Sequence, residues 1–272
     1  MRHRAAASVA LLAALAGASG ASAYKVDRHV VPQPRLHYYV GLKDWKKPFG
    51  RVARVVNRAH VGVRLVRAKI PEQASIQIGR LDHQCGYPGV NGVTQTLRGG
   101  YAAIYLPYNC HGRVASIIAA HELGHALGLR HENRRCALMN SSAGPNGIPT
   151  HCRGRSGIDW LRHPFRGDDL AGLRKVYRNT APIARIRVTS SAPYRAGRRL
   201  NFSVTAKDRE RNVSEVVLQF GDGTPQLSSY SARRLPHSHV YSEPGTFVAT
   251  LTVTDFYQRK STSKVRVKVV EG

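Results

Sequence analysis

One eleven-residue stretch constrains this chain more than any other, and it reads His121-Glu122-Leu123-Gly124-His125-Ala126-Leu127-Gly128-Leu129-Arg130-His131. His121 and His125 are four residues apart, so on a helix their imidazoles project from one face. Gly128 tolerates a positive φ and is therefore suited to end that helix. The chain can then turn and bring His131 to the same place. The spacing predicts a helix, a glycine turn and a cluster of three imidazoles.

Three imidazoles form a donor set for one Zn²⁺ and leave its fourth position open to water. Bound zinc lowers the pKa of such a water to about 7. Glu122 follows the first histidine and is placed to act as a general base, which takes the water proton and passes it to a leaving amine. The sequence therefore predicts one catalytic zinc, held by His121, His125 and His131. The alternatives are a structural zinc or buried histidines around an inert glutamate.

The part of the chain around this stretch, residues 24–179, mixes helical and strand patterns. Apolar residues at helical spacing predict three helices, over 48–60, 114–127 and 168–178. Alternating and β-branched runs predict short strands, over 36–40, 61–68, 75–78 and 101–106. The stretches 81–100 and 139–157 are rich in Gly, Asn and Pro and are predicted to be loops. We therefore expect an α+β domain with a mixed sheet and about three helices.

The last helical pattern ends before a linker at residues 179–182. Strand patterns then recur, over 184–189, 200–206, 213–220, 247–254 and 264–270. Turn sequences separate them, including Gly221-Asp222-Gly223. Five to seven short strands in about 90 residues predict an all-β sandwich over residues 180–272.

The first 23 residues have the pattern of a secretory signal peptide. Arg2 and Arg4 precede an uncharged apolar run, and Ala21-Ser22-Ala23 supplies the small residues that signal peptidase requires. We expect cleavage before Tyr24 and a secreted, extracellular protein without a transmembrane segment.

Secretion makes disulfides the expected state of the four cysteines, Cys85, Cys110, Cys136 and Cys152. Four cysteines allow three pairings. We favour Cys85 with Cys110 and Cys136 with Cys152, because each of these bonds closes a loop rich in Gly, Pro and Asn. The chain contains no C-x-x-C pair, which argues against a metal bound by cysteine.

The formal net charge is +26, from 42 Lys and Arg against 16 Asp and Glu. Such an excess attracts anionic polymers, for example an acidic cell wall or another extracellular polymer. The cations are spread over both parts of the chain, so no specific nucleic-acid site is predicted. A general compositional bias toward Arg is the alternative explanation of the charge. We expect a monomer.

The complete pattern H-E-x-x-H-x-x-G-x-x-H, followed by Met139, resembles the metzincin metalloproteases and, among them, most of all the matrixins. The resemblance implies a zinc endopeptidase that acts on proteins or peptides, with Met139 in a Met-turn beneath the zinc histidines. It also implies a substrate-binding edge strand that pairs with an extended peptide, formed by Tyr101, Ala102, Ala103 and Ile104.

The chain departs from the matrixin pattern in two places that concern metals. Ala103 stands where matrixins carry a histidine for a second, structural zinc, so we expect only the catalytic one. Asp82 is the one acidic residue between positions 81 and 108, which leaves calcium binding open. Snapalysins, small secreted metzincins, share the plan of two disulfides but use Asp as the third ligand, where this chain has His131.

Three C-terminal stretches resemble the PKD domain, an Ig-like sandwich often appended to secreted bacterial enzymes: residues 220–224 (Phe-Gly-Asp-Gly-Thr), 239–247 and 251–255. The resemblance implies adhesion to protein or polysaccharide, and a simple spacer is the alternative. Taken together, the sequence predicts a secreted zinc endopeptidase with an accessory sandwich. The alternative function is a secreted basic adhesin or binding protein, which would use the sandwich and the Arg-rich surface.

Overall fold

The computed structural model describes residues 24–27, 30–85, 91–97, 101–144, 146–155 and 159–272, so the predicted signal peptide at 1–23 lies outside the described residues. The described residues form two hydrophobic cores. The first contains buried residues from Leu36 to Tyr177, and the second contains buried residues from Ile186 to Val269. Over the described ranges, no helix combines the length and apolar character needed to cross a bilayer.

The first core is built from seven strands and three helices. In chain order they are β1 (Lys25–Val26), β2 (Arg35–Val40), α1 (Lys46–Arg58), β3 (Arg64–Arg67), β4 (Ile76–Gln84), β5 (Val93–Thr96), β6 (Ala102–Tyr108), α2 (Gly112–Ala126), β7 (Leu129–Arg130) and α3 (Gly167–Val176).

Five of these strands form one mixed sheet in the order β3-β2-β4-β6-β5. Neighbouring strands run parallel, except that β5 is antiparallel to β6. The two-residue strands β1 and β7 pair separately, with Lys25 opposite Arg130. The predicted α+β class, a mixed sheet with three helices, is confirmed.

The two longer helices differ in how the sequence buries them. On α1 the apolar residues Phe49, Val52, Ala53 and Val56 recur at helical spacing and form its buried side. On α2 ten of the fifteen residues are buried, around the whole circumference of the helix. A helix that is apolar on all sides belongs in the interior. His121, Glu122 and His125 are therefore carried by the central helix of the first core.

The edge of the mixed sheet is not where the sequence predicted it. Tyr101–Ile104 was expected to be an edge strand, but β6, which contains Ala102 to Ile104, lies between β4 and β5. The true edge is β5, Val93–Thr96, in a stretch predicted as loop. The four residues of β5 pair antiparallel with β6 along the side of β6 that was expected to be unpaired. The prediction for Tyr101–Ile104 as an edge strand is therefore wrong.

The second core is a β-sandwich of two sheets. Its strands are β8 (Ile183–Val188), β9 (Tyr194–Arg195), β10 (Arg199–Lys207), β11 (Val213–Gln219), β12 (Leu227–Ser229), β13 (Ser238–Val240), β14 (Gly245–Asp255) and β15 (Lys260–Val270). One sheet has the order β13-β10-β8 and the other β12-β11-β14-β15-β9. Alternate residues of these strands, such as Leu218, Leu251 and Val267, fill the space between the sheets. The predicted all-β sandwich is confirmed.

Two disulfides brace the loops of the first core. Cys85 is bonded to Cys110, and Cys136 is bonded to Cys152, which is the pairing that the sequence favoured. The first bond ties the end of β4 to the segment that leads into α2. The second closes the loop that follows β7. Both bonds lie against the hydrophobic core, so they stabilise packed structure rather than a free surface loop.

These bonds lead to a stability prediction. The bonded cysteines are 25 and 16 residues apart, and loops of this size stabilise a fold by about 3 kcal/mol through the lost entropy of the unfolded chain. We expect the variant Cys136→Ala/Cys152→Ala to lose about 3 kcal/mol of unfolding free energy in urea denaturation. Cys85→Ala/Cys110→Ala is the matched comparison and should lose a similar amount. A loss below about 1 kcal/mol in both variants would contradict the prediction.

Candidate metal centre

Three histidines meet at the C-terminal end of α2. His121 and His125 lie on the helix, and the chain leaves it at Gly128, whose φ is +95°. A β-carbon at that position would also lie 3.1 Å from a methyl group of Val30, a tight contact that adds to the backbone preference for glycine. His131 follows directly after β7. The ligand nitrogens of the three residues all lie within 4.8 Å of one another, so the structure brings the three predicted ligands together.

The distances between the ring nitrogens fit a single zinc ion. The Nε2 atom of His131 lies 3.3 Å from that of His121 and 3.1 Å from that of His125. A tetrahedral zinc with Zn–N bonds of about 2.0–2.1 Å separates its nitrogens by about 3.3 Å. Both distances from His131 are therefore already those that one tetrahedral ion would impose.

Hydrogen bonds on the far side of two rings settle which nitrogen carries the proton. The Nδ1 of His121 donates to the Leu138 carbonyl oxygen, and the Nδ1 of His125 donates to the Leu129 carbonyl oxygen, each at 2.9 Å. Since a carbonyl only accepts, both protons reside on Nδ1 and both Nε2 atoms present lone pairs. His131 can donate a proton to one of these lone pairs but not to both, whereas a cation satisfies all three rings. The donor set thus fits a metal ion.

Burial keeps these imidazoles neutral. It lowers the pKa of both His121 and His125 to about 4, because a charged ring loses its hydration inside the protein. Burial also lowers the pKa of His131, and the positive charge of Lys25 acts in the same direction. Neutral imidazole is the form that binds metal. The site is therefore in its ligating state at neutral pH.

Met139, the predicted Met-turn residue, lies beneath α2. It is 2% exposed, and its sulfur lies so close to Gly124 that a β-carbon there would be 2.5 Å from it. Gly124 occupies the helical turn between His121 and His125. The absence of a side chain at Gly124 lets the thioether pack directly against the backbone between the two histidines.

The turn that contains Met139 is fixed by a carboxylate from α3. Asp169, which is 2% exposed, accepts hydrogen bonds from the backbone N–H groups of Leu138 at 3.0 Å, Met139 at 3.3 Å and Arg166 at 2.7 Å. The Leu138 carbonyl in turn accepts the proton of His121 Nδ1. One buried carboxylate therefore orients the peptide group that orients the first histidine.

The Glu122 side chain points toward β5, at the edge of the mixed sheet. Its side chain is 5% exposed, and one carboxylate oxygen accepts a hydrogen bond from the Thr94 hydroxyl at 2.7 Å. Burial raises the pKa of Glu122, while the Thr94 hydrogen bond lowers it. The carboxyl group therefore lies against β5, within electrostatic reach of His125.

Sequence reasoning missed the roles of two residues at this site. The sequence places Asp169 at the start of the predicted helix 168–178 and gives it no part in the site. Thr94 gave no signal, because it lies in a stretch predicted as loop. Neither contact can be read from local pattern, since each joins segments at least 28 residues apart in the chain.

Comparison with known proteins finds two family models that match separate parts of the chain. The matrixin family model matches residues 80–151, and the PKD domain model matches residues 179–269. Matrix metalloproteinase-27 from Homo sapiens and from Tupaia belangeri are each 38% identical to this chain over 61 residues. That match covers 22% of this chain and 10% of each relative, so the similarity spans about a tenth of these proteases.

Solved structures are similar to the chain at low identity. The PKD1 domain of Vibrio anguillarum Epp is 22% identical, with a TM-score of 0.28, and covers 35% of this chain and 99% of its own. The PKD1 domain of the Vibrio cholerae metalloprotease PrtV is 24% identical, with a TM-score of 0.26, and covers 33% and 98%. OgpA from Akkermansia muciniphila is 12% identical, with a TM-score of 0.27, and covers 90% and 95%.

The matrixin family model therefore matches the segment that contains the three histidines, Glu122 and Met139, and the PKD domain model matches the C-terminal sandwich, in agreement with the two resemblances seen in the sequence.

Proposed function

We propose that this protein is a secreted zinc-dependent endopeptidase, with residues 24–179 as its protease domain and residues 180–272 as an accessory sandwich. The observation that carries the proposal is the convergence of three neutral imidazoles, in which the Nε2 atom of His131 lies at tetrahedral zinc spacing from those of His121 and His125. The match of the same segment to the matrixin family supports it.

Each residue of the site has a distinct part in this proposal. His121, His125 and His131 would hold the metal. Bound zinc acidifies a coordinated water and polarises a carbonyl group as a Lewis acid. Glu122 is the general base: it accepts the proton of the attacking water and delivers it to the amine that leaves. Burial raises the pKa of Glu122 above its ordinary value, the direction expected for a group that must both take and give a proton.

The peptide substrate would bind along β5. This strand is the edge of the mixed sheet, and it packs against the helix that carries Glu122. An extended peptide can add to an exposed sheet edge through main-chain hydrogen bonds. The substrate-binding role first assigned to Tyr101–Ile104 therefore belongs in this proposal to Val93–Thr96.

The first test of the proposal is proteolysis. We expect the mature protein to cleave casein, and we expect a metal chelator to abolish the cleavage. Glu122→Ala should reduce the rate at least about a hundredfold, because a positioned acid–base group contributes at least that much. Glu72→Ala, an exposed glutamate of the same domain, is the matched control and should keep full activity. Cleavage that survives both the chelator and Glu122→Ala would refute the mechanism.

The second test is the pH dependence of zinc binding. Protons compete with zinc once the pH falls to about the pKa of each imidazole. Burial has moved the pKa of His121 and of His125 from 6.5 to about 4. Between pH 7 and pH 5 we expect these two residues to weaken zinc binding less than about tenfold. Two histidines with the ordinary pKa would weaken it several hundredfold, by order of magnitude. Competition with a calibrated chromogenic chelator measures the change, and a steep loss would contradict the buried-imidazole argument.

A specific feature of the sandwich favours the second candidate function, binding of an anionic polymer. Residues 180–272 are described throughout, and their one ion pair joins His239 to Asp222. Asp208 and Asp255 accept hydrogen bonds from backbone N–H groups instead of pairing with cations. The Lys and Arg residues of the sandwich, which outnumber its acidic residues about two to one, are therefore left uncompensated.

Four of these cations form a stripe on one strand. Lys260, Lys264, Arg266 and Lys268 are all exposed on β15. Even-numbered positions of a strand share one face, and successive ones are about 6.7 Å apart. Their β14 neighbours on that face include Thr246 and Thr250, whose hydroxyls can bond to sugar hydroxyls. We propose that this basic stripe binds an anionic polysaccharide.

A matched pair of variants tests the stripe. The opposite outer face of the sandwich carries Arg185, Arg187 and Lys207, all exposed, so an equal charge can be removed there. With soluble heparin as the probe and the full chain, we expect Lys264→Gln/Arg266→Gln/Lys268→Gln to weaken binding at least about tenfold and to flatten its salt dependence. Arg185→Gln/Arg187→Gln/Lys207→Gln should change it less than about threefold. Equal losses would show that net charge alone attracts the polymer and would refute the stripe.

A further inference from the structure

A single side chain of the sheet edge contacts the carboxylate of Glu122. The Thr94 hydroxyl lies 2.7 Å from one carboxylate oxygen and 3.0 Å from the backbone carbonyl oxygen of the same residue. Thr94 pairs with Ile104, which is fully buried, so this face of β5 is turned toward α2. The contact joins β5 to Glu122, the second residue of the histidine motif.

The backbone two residues earlier confines the same carboxylate from another direction. A β-carbon on Gly92 would lie 2.6 Å from both Oε1 and the γ-carbon of Glu122. Any side chain at position 92 would therefore have to displace the glutamate. The segment 92–94 thus contacts Glu122 twice, once through a hydroxyl and once through bare backbone.

We propose that Thr94 is a positioning residue, which holds the Glu122 carboxylate in the orientation needed for proton transfer while the peptide substrate lies on the same strand. This inference rests on the proposed endopeptidase function. A glutamate side chain has several rotamers, and a hydrogen bond of 2.7 Å selects one of them. A small misplacement of a catalytic group is costly, because the reacting atoms must already be aligned when the barrier is crossed.

The geometry also explains why this tether comes from β5 rather than from elsewhere. The proposed substrate pairs with the backbone of β5, and Thr94 fixes the general base to the side chain of that same strand. The distance between the bound peptide and Glu122 is then set within one short element instead of across two independently moving ones. A hydrogen bond from α2 itself would orient the carboxylate without fixing it relative to the substrate.

The test compares three variants of the full, zinc-loaded chain. Thr94→Val keeps the shape of the side chain and removes the hydroxyl, Thr94→Ser keeps the hydroxyl, and Thr189→Val changes an exposed threonine of the sandwich, outside the proposed active site, as the control. We expect Thr94→Val to lower kcat about tenfold with KM changed less than twofold. Thr94→Ser should recover kcat to within about threefold of wild type, and Thr189→Val should match wild type.

Two readouts do not depend on activity. Zinc content and zinc affinity should be the same in all variants, since Thr94 contacts none of the three imidazoles through the hydrogen bonds described. Amide hydrogen exchange over residues 91–97 should be faster in Thr94→Val than in wild type, because the tether to α2 is lost. In a Glu122→Ala background the same substitution should have a smaller effect, since the two residues act as a pair.

The outcomes separate this inference from the proposed function. Active wild type with an unchanged kcat in Thr94→Val overturns the positioning role and leaves the endopeptidase intact. Loss of zinc in Thr94→Val, or failure of Thr94→Ser to recover kcat, shows a structural role and also overturns the inference. A folded, zinc-loaded wild type that cleaves no peptide overturns the proposed function, and the inference with it.

Discussion

Three imidazole lone pairs directed at one point are the constraint on which the first core depends. A proton on His131 can bridge to only one of the other two rings, so the fold holds His121, His125 and His131 around a position that a cation satisfies in full. Two of the rings are held by carbonyl oxygens behind them, from Leu138 and Leu129. The elements that supply those carbonyls are therefore parts of the site, although they contribute no ligand.

The support behind the first histidine extends through three segments of the chain. Asp169 on α3 receives the N–H groups of Leu138 and Met139, and the Leu138 carbonyl receives the proton of His121. The carboxylate is buried, and burial raises its pKa to about 6 even though three N–H groups favour its charged form. An acidic group held at that cost in the interior has a structural role: it ties the last helix to the turn under the site.

The sequence predicts what depends on local spacing and misses what depends on sheet order. A four-residue interval, a glycine and a third histidine were enough to anticipate α2, its end and the meeting of the three rings. Strand order is a global property, and the four residues Val93–Thr96 carry too weak a local pattern to reveal an edge strand among Gly and Asn. The misassigned edge at Tyr101–Ile104 and the unforeseen contact of Thr94 with Glu122 follow from that one omission.

Three clamps restrict the histidine cluster before any ion binds. The short strand β1 pairs with β7 immediately before His131. Asp169 fixes the turn behind His121, and the disulfide between Cys136 and Cys152 closes the loop that contains this turn. A ligand set that is already ordered loses little conformational entropy on binding. Less of the free energy of the metal–nitrogen bonds is then needed to order the loops, so the affinity for the ion is higher. This arrangement suits a chain in which the sequence leaves calcium binding open, because covalent bonds and a buried carboxylate hold loops that bound ions could otherwise have ordered.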